Sequence, residues 1–295
     1  MDERALRRIN RAGGVDDLAS VLERLAPTDL QTLLMEVYRR RAGGLTPAKV
    51  LDQYARNRFV AAARCDPELL LELDRRAFGL LPDGYEAIEL APVAPLGTAA
   101  VLGELSQDWA LATARNTEVV SDSTNVLALE CALRRRRDRR LPVKLAASHR
   151  LIRGQRFGPD RSQHFRLLGL VAAGRGRAFE LESLVEQLAF YRALLGTVRI
   201  VLTPLAGTIA EETIERLEGS IEIDVSRKDG RSYYVGLCFT ISAGGVELVD
   251  GGFTDWTQRL LGDRKERLLI SGLGSERAAE ELTGRGERRA APSRD

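Results

Sequence analysis

One stretch near the middle of the chain limits its fold more than any other. Apolar runs at Leu145 to Leu151 and Leu167 to Val171 flank a polar segment, residues 152 to 165, whose glycines and proline (Gly154, Gly158, Pro159) are turn residues. The whole reads as strand, tight loop, strand. Four arginines, Arg150, Arg153, Arg156 and Arg161, lie in or beside this hairpin. Guanidinium groups gathered on a strand pair suit a carboxylate or a polyphosphate, which Arg holds through two parallel donors. A solvated hairpin with a basic face is the other reading of the same residues.

Composition narrows the function classes. A chain of 295 residues can bury a large core, as one big domain or two smaller ones. Its net charge of +2 gives no overall bias towards nucleic acid or membrane. Cys65, Cys131 and Cys238 form no metal-ligand spacing and no disulfide framework, which fits a reducing cytoplasm. With only His149 and His164 present, a histidine-rich metal site is excluded, and no metal site is expected. No apolar run reaches the roughly 20 residues of a membrane span. Met-Asp-Glu-Arg at the start is not followed by the apolar stretch of a signal peptide, so the expected location is cytoplasmic.

Taken in order, residues 1–67 read as a helical block. Pro27, Pro47 and Pro67 each follow or sit within a start signal, and apolar residues recur at helical spacing behind them. Pro82-Asp83-Gly84 is a turn, after which Tyr85 to Val93 alternates like a strand. Trp109 to Ala114 and Glu118 to Val120 are short strand candidates. Ser121 to Thr124 offers caps for a helix from Asn125 to about Arg136. The arginines at 134–137, 139 and 140 follow its C-terminal half. They read either as a solvated helix end that complements the dipole or as an RNA-phosphate patch. Beyond the hairpin, Glu180 to Leu195 and Ile209 to Leu217 are helices, with a strand at Thr197 to Leu202 between them. Ile221 to Val225, Tyr233 to Ile241 and Val246 to Val249 read as consecutive antiparallel strands. Gly251-Gly252 follows, then a helix from Asp255. Leu268 to Ile270 is a short buried strand leading through Gly272-Leu273-Gly274-Ser275-Glu276-Arg277 into a last helix. Residues 284–295 read as a disordered tail.

Together these segments resemble the catalytic core of class II aminoacyl-tRNA synthetases, most closely histidyl-tRNA synthetase and its regulatory paralogue in histidine biosynthesis. Gly84 to Pro92 is similar to the first class motif, which builds the dimer interface. Arg153-Gly154-Gln155, the step to Arg161, and His164-Phe165 resemble the second. Gly272 to Arg277 resembles the Gly-x-Gly-x-x-Arg of the third. Tyr233-Tyr234-Val235-Gly236, Gly251 to Asp255, and Asp122-Ser123-Thr124 are similar to further elements of the histidyl branch. The match covers about residues 68–283, and implies an α+β fold: an antiparallel sheet flanked by helices, assembled as a homodimer.

The resemblance also implies roles. Arg153 would hold the ATP α-phosphate and a substrate carboxylate, and Arg161 and Arg277 the outer phosphates, with Mg²⁺ present. Phe165 would stack under adenine, and Gln155 would read its amino group. Gly272 and Gly274 would let the nucleotide approach the backbone. Asp122 and Thr124 would hold an ammonium, with Tyr233 and Tyr234 lining the amino-acid pocket.

Departures from the family pattern shape the functional expectation. The family's catalytic Arg before its paired tyrosines is missing, and Arg227 and Arg231 are the nearest substitutes, neither in register. Leu167 stands where the family reads histidine with Gln, and Val171 replaces an acidic pocket residue. A substrate other than histidine is therefore expected. No anticodon-binding domain is expected after the third motif, and with it an acceptor other than ordinary tRNA is expected. Three readings follow: an enzyme that activates an amino acid or related carboxylate as an acyl-adenylate, a catalytically silent regulatory subunit, and a stand-alone tRNA-charging enzyme.

Overall fold

The structure, a computed structural model, describes residues 2–103, 106–155, 158, 162–217, 219–228 and 233–290. Five helices come first: α1 (Glu3–Gly13), α2 (Leu18–Glu23), α3 (Pro27–Gly43), α4 (Pro47–Arg56) and α5 (Pro67–Gly79). The side chains of Asp2, Asp17, Thr46 and Asp66 accept from backbone amides in the first turns of α1, α2, α4 and α5, satisfying donors that have no partner within the helix. Proline opens α3, α4 and α5, where its missing N–H is not needed. Helices α1 to α4 bury no side chain. Helix α5 is the first element that does, through Leu70, Leu73 and Ala77.

The core follows as β1 (Tyr85–Ala87), β2 (Val93–Pro95), α6 (Thr98–Gly103), β3 (Thr117–Val119), α7 (Ser123–Arg137), β4 (Val143–Ile152) and β5 (His164–Arg175). Then come α8 (Arg177–Leu195), β6 (Arg199–Pro204), α9 (Ile209–Arg216), β7 (Ile221–Ile223), β8 (Tyr234–Ala243) and β9 (Val246–Thr254). Helix α10 (Trp256–Leu261), β10 (Glu266–Gly274) and α11 (Ser275–Ala290) complete it. Eight strands form one sheet in the order β1-β4-β5-β10-β9-β8-β6-β7, antiparallel except for the β1–β4 and β6–β7 pairs at its two edges. Strands β2 and β3 form a separate small sheet.

Both faces of this sheet are covered. Leu168, Leu170 and Ala172 of β5 pack towards α8, α5 and α11, and Val171 and Ala173 pack towards α7. A strand buried on both faces has no polar alternation to show, so β5 appears in the sequence as an unbroken apolar run.

Several expectations need correction. Within the Tyr85 to Val93 segment only Tyr85–Ala87 is a strand, which pairs with β4; β2, which pairs with β3 in the other sheet, begins at Val93. Trp109 to Ala114 is not a strand: a 3-10 turn occupies Gln107–Trp109, and a single bridge joins Ala112 to Glu118. Strand β7 does not pair with β8. Helix α9 carries the chain back over the sheet, which sets β7 parallel to β6 at the edge, with Ile200 opposite Ile221. Gly251 and Gly252 lie inside β9 rather than after it. Helix α11 runs to Ala290, past position 284.

The arginine run at the end of α7 serves the fold. Arg135 is 1% exposed and meets Glu266 of β10 through two hydrogen bonds of 2.8 and 2.9 Å. Arg175 also donates to Glu266 at 2.7 Å, while Arg139 and Arg175 share Asp263. Arg134 pairs with Glu86 and Glu130, and Arg140 with Asp138. Arg134, Arg135, Arg139 and Arg140 are therefore held by carboxylates, while Arg136 and Arg137 are exposed. Burial opposes ionisation of Glu266, but its hydrogen bonds from Arg135 and Arg175 outweigh that, and its carboxyl titrates below the ordinary value. Removing one partner of such a pair strands the other, so Glu266→Ala is expected to cost about 3–5 kcal/mol in urea unfolding at neutral pH. The folded value lies below the unfolded one, so this stabilisation is complete above about pH 5 and is lost as pH falls through the folded value. The variant's stability should accordingly fall less steeply in acid than that of the native chain.

Candidate active site

The face of the sheet that carries α7 is partly open, and glycine opens it. Gly169, Gly272 and Asp250 lie opposite one another on β5, β10 and β9, and Gly274 and Gly252 share their face by the two-residue strand repeat. Most of these glycines serve as a seat. A Cβ at Gly169 would meet Ser123 Oγ at 2.9 Å and Leu127 at 3.2 Å, so its absence lets the start of α7 rest on the sheet. A Cβ at Gly274 would meet the Arg277 guanidinium at 3.1 Å. One at Gly252 would meet the Leu237 carbonyl and the Tyr234 ring at 2.7 Å. Gly272 lies beneath Leu167, which its Cβ would approach to 3.1 Å.

Above this floor is a cleft of about 560 Å³. Its walls include Arg153, Gln155 and Phe165 from the hairpin, Asp122 and Thr124 from the start of α7, and Tyr233 and Tyr234 from the start of β8. Gly272, Gly274 and Arg277 complete the set of described residues that the sequence reading assigned to a site. Arg161 and Arg231 lie outside the described residues.

Asp122 has two tasks. One carboxylate oxygen, Oδ1, caps α7 by accepting from Thr124 N at 2.9 Å and Thr124 Oγ1 at 2.8 Å. The other, Oδ2, lies 3.3 Å from Arg153 Nη2. Arg153 also donates from Nε to the Ser121 carbonyl at 2.9 Å, and its guanidinium carbon stands 5.2 Å from the centre of the Phe165 ring. The hairpin thus brings a cation, an aromatic face and a helix-capping carboxylate to one end of the cleft. Gly154 is needed for close approach as well as for the turn. Its amide donates to the Trp109 carbonyl at 2.6 Å, and a Cβ there would lie 2.9 Å from that oxygen.

The other end holds groups that the sequence reading missed. Asp250 lies on the wall and accepts from Arg227 at 2.9 Å and from the Tyr234 hydroxyl at 3.1 Å. Burial pushes its carboxyl up, and Arg227 opposes that shift. Tyr233 stacks 4.5 Å from Tyr234 and 5.7 Å from Trp256. Burial, with the charges of Asp122 and Asp250, pushes the Tyr233 hydroxyl up to about 12, and Tyr234 is raised well above its ordinary value. Both remain protonated donors at neutral pH. Arg227, out of register in the sequence, reaches the cleft wall through Asp250. The signal for Asp250 was its place beside Gly251-Gly252, which only the β9–β10 register turns towards the cleft.

Two hairpin residues differ from their expected roles. Arg150 binds structure rather than ligand: it pairs with Glu276 at 3.3 Å and reaches His164 Nδ1 at 3.0 Å, tying the hairpin to α11. Val171 is fully buried under α7 and is not part of the cleft wall, whereas Leu167 is. Among the described residues, no group of three or more His, Cys, Asp or Glu side chains is placed to hold a metal.

No family model matches the chain, and no curated protein matches it. Solved structures do. The eight-stranded sheet with its helices is the fold of the class II aminoacyl-tRNA synthetase catalytic core. One structure that shares it is an ATP phosphoribosyltransferase regulatory subunit/histidyl-tRNA synthetase from Bacillus halodurans, with a TM-score of 0.59 and 16% identity, covering 75% of this chain and 81% of that one. A histidine–tRNA ligase subunit from Alicyclobacillus acidocaldarius aligns with a TM-score of 0.61 and 14% identity over 77% of this chain and 96% of its own. Pyrrolysyl-tRNA synthetase from Desulfitobacterium hafniense aligns at 0.55 and 13% identity, over 80% and 75%. At such identities the likeness is one of fold.

The seats differ in how far they can yield. At Gly252 the obstacle includes the backbone of Leu237 and Cys238, and at Gly272 it is the flexible end of Leu167. Gly252→Ala should therefore lose about 1–3 kcal/mol in urea unfolding, while Gly272→Ala should lose less than about 1.5 kcal/mol. Equal losses, or the opposite ranking, would contradict this account of the floor.

Proposed function

We propose that the chain binds ATP and activates an amino acid or related carboxylate as an acyl-adenylate. One observation carries the reading. Arg153, Phe165, Gly272, Gly274, Arg277, Asp122, Thr124 and the two tyrosines come from four separate stretches of sequence, yet they line a single cleft. Packing alone does not call for that convergence of cations, an aromatic face and a cleared floor.

The donor set fits a nucleotide. Phe165 offers a face for the base, and Arg153 and Arg277 offer guanidinium groups for phosphate oxygens. Mg²⁺ commonly binds through phosphates and one or two carboxylates, so the lack of a dedicated metal cage among the described residues is compatible with it. When bound, it would neutralise phosphate charge. Arg153 would release Asp122 as ligands arrive, leaving Oδ2 to receive a substrate ammonium and freeing its own guanidinium for the α-phosphate and the carboxylate. Held in line, the carboxylate oxygen attacks the α-phosphorus and pyrophosphate leaves. Fixed positive charge then stabilises the spread negative charge of the transition state. Leu167 and Ile270 on the wall disfavour an imidazole there and favour a side chain with an apolar part, with Asp250 and Tyr234 as polar contacts.

The chain is proposed to work as a homodimer through the segment from Gly84 to Pro92. A second reading, a silent regulatory subunit, is favoured by the Arg153–Asp122 pair, which engages two key groups with each other. The tRNA-charging reading is weakened by the carboxylates that pair with much of the arginine run. Among the described residues, no helix is long and apolar enough to cross a membrane.

Pyrophosphate exchange with a panel of amino acids tests the proposal. Exchange with at least one acid is expected, reduced about a hundredfold or more in Arg153→Ala and Arg277→Ala while their circular dichroism is unchanged. Exchange with none, alongside saturable ATP binding, would support the silent reading.

A further inference from the structure

A second cavity, of about 420 Å³, lies where β8, β9 and β10 meet the first turns of α8 and α9. We infer that it binds a small organic anion: a carboxylate or phosphate head on an apolar body. The inference does not depend on the chemistry of the first cleft.

The cavity exists because β8 breaks its register with β9 between Tyr234 and Cys238. Gly236 takes a φ of +72°, in the region that favours glycine, and its carbonyl accepts from both Leu205 N (2.8 Å) and Ala206 N (2.9 Å). The bulge leaves an apolar pocket between Ala206, Ile209, Val235, Phe253 and Leu268. Its size is within the roughly 300–1,000 Å³ usual for small-molecule sites.

The polar groups on its wall favour negative charge. Arg177, Arg264 and Arg267 are set against one lining carboxylate, Glu180, which Arg267 engages at 2.9 Å. Arg177 is held by Glu212 and Thr208. Among the described residues, no hydrogen bond or ion pair is made by the side chain of Arg264. Helix α8, 19 residues long, begins at this wall with Gly176 as its cap residue, so no side chain satisfies its first amides. Thr254, 1% exposed, closes the inner end of the cavity.

The two cavities share a strand segment. Tyr233 and Tyr234 line the first, and Val235 and Gly236 line the second. An occupant of the second would therefore brace the bulge that holds the tyrosines of the first.

The test is calorimetry with phenyl phosphate and with benzoate on the full chain, on Arg264→Glu, on Ala206→Trp and on Arg277→Ala. Saturable binding of one or both probes is expected, and which probe binds more tightly identifies the head group. Removing a charge-assisted contact should weaken binding about ten- to a hundredfold in Arg264→Glu, with a similar loss when Ala206→Trp fills the pocket. Arg277→Ala should bind as the native chain does. Arg264 is exposed, so its variant keeps the test valid if Ala206→Trp fails to fold. No binding at millimolar probe would overturn the inference. So would binding that survives Arg264→Glu, or binding lost in Arg277→Ala, which would place the anion in the first cleft.

Discussion

The arrangement depends on close approach to one face of the central sheet. A sheet buried on both sides has no room for a ligand unless side chains are removed from it. Here Gly272 and Gly274 of β10 leave that room, and Gly169 and Gly252 on the neighbouring strands seat the groups around it. Around the cleared floor, the start of α7 rests on Gly169, the Tyr234 ring on Gly252 and the Arg277 guanidinium on Gly274. The groups of the cleft are thus positioned from below by the sheet as well as by their own elements. That is the rigidity a site needs if it is to hold two reactants in line.

Charge is divided between two jobs. At the lower end of α7, arginines are paired with carboxylates, and the Arg135–Glu266 pair is sealed inside the core. At the upper end, Arg153 meets one oxygen of a carboxylate whose other oxygen caps the same helix. The first arrangement fixes the helix on the sheet. The second lies on the cleft wall and is partly exposed, which makes it suited to ligands. One helix therefore carries a structural ion pair at its C-terminal end and a candidate binding group at its cap.

Much of this was legible in the sequence, for identifiable reasons. Helix starts carried their own chemistry at Pro27, Pro47 and Pro67. The arginine hairpin and the Gly-x-Gly turn were local signals, and the order of the motifs pointed to the fold. What was hidden depended on pairing between distant segments. Nothing local marks Arg135 as the buried member of its run, because its partner lies 131 residues away on β10. Asp250 faces the cleft only through the register of β9 against β10, and Arg227 contributes only through Asp250. Ile221 to Ile223 has the pattern of any short strand, and the crossover through α9 decides that it runs parallel to β6. The second cavity arises from a bulge, which a two-residue alternation cannot foretell.

The claim on which the functional account rests is that the cleft takes ATP. Isothermal titration of Mg-ATP into the native chain and into Arg277→Ala tests it most directly, with the unfolding curves of the two compared in parallel. The account predicts saturable binding to the native chain and its loss in the variant, with stability unchanged. No binding at millimolar ATP, or equal binding by both, would contradict it and leave a class II synthetase fold with some other occupant.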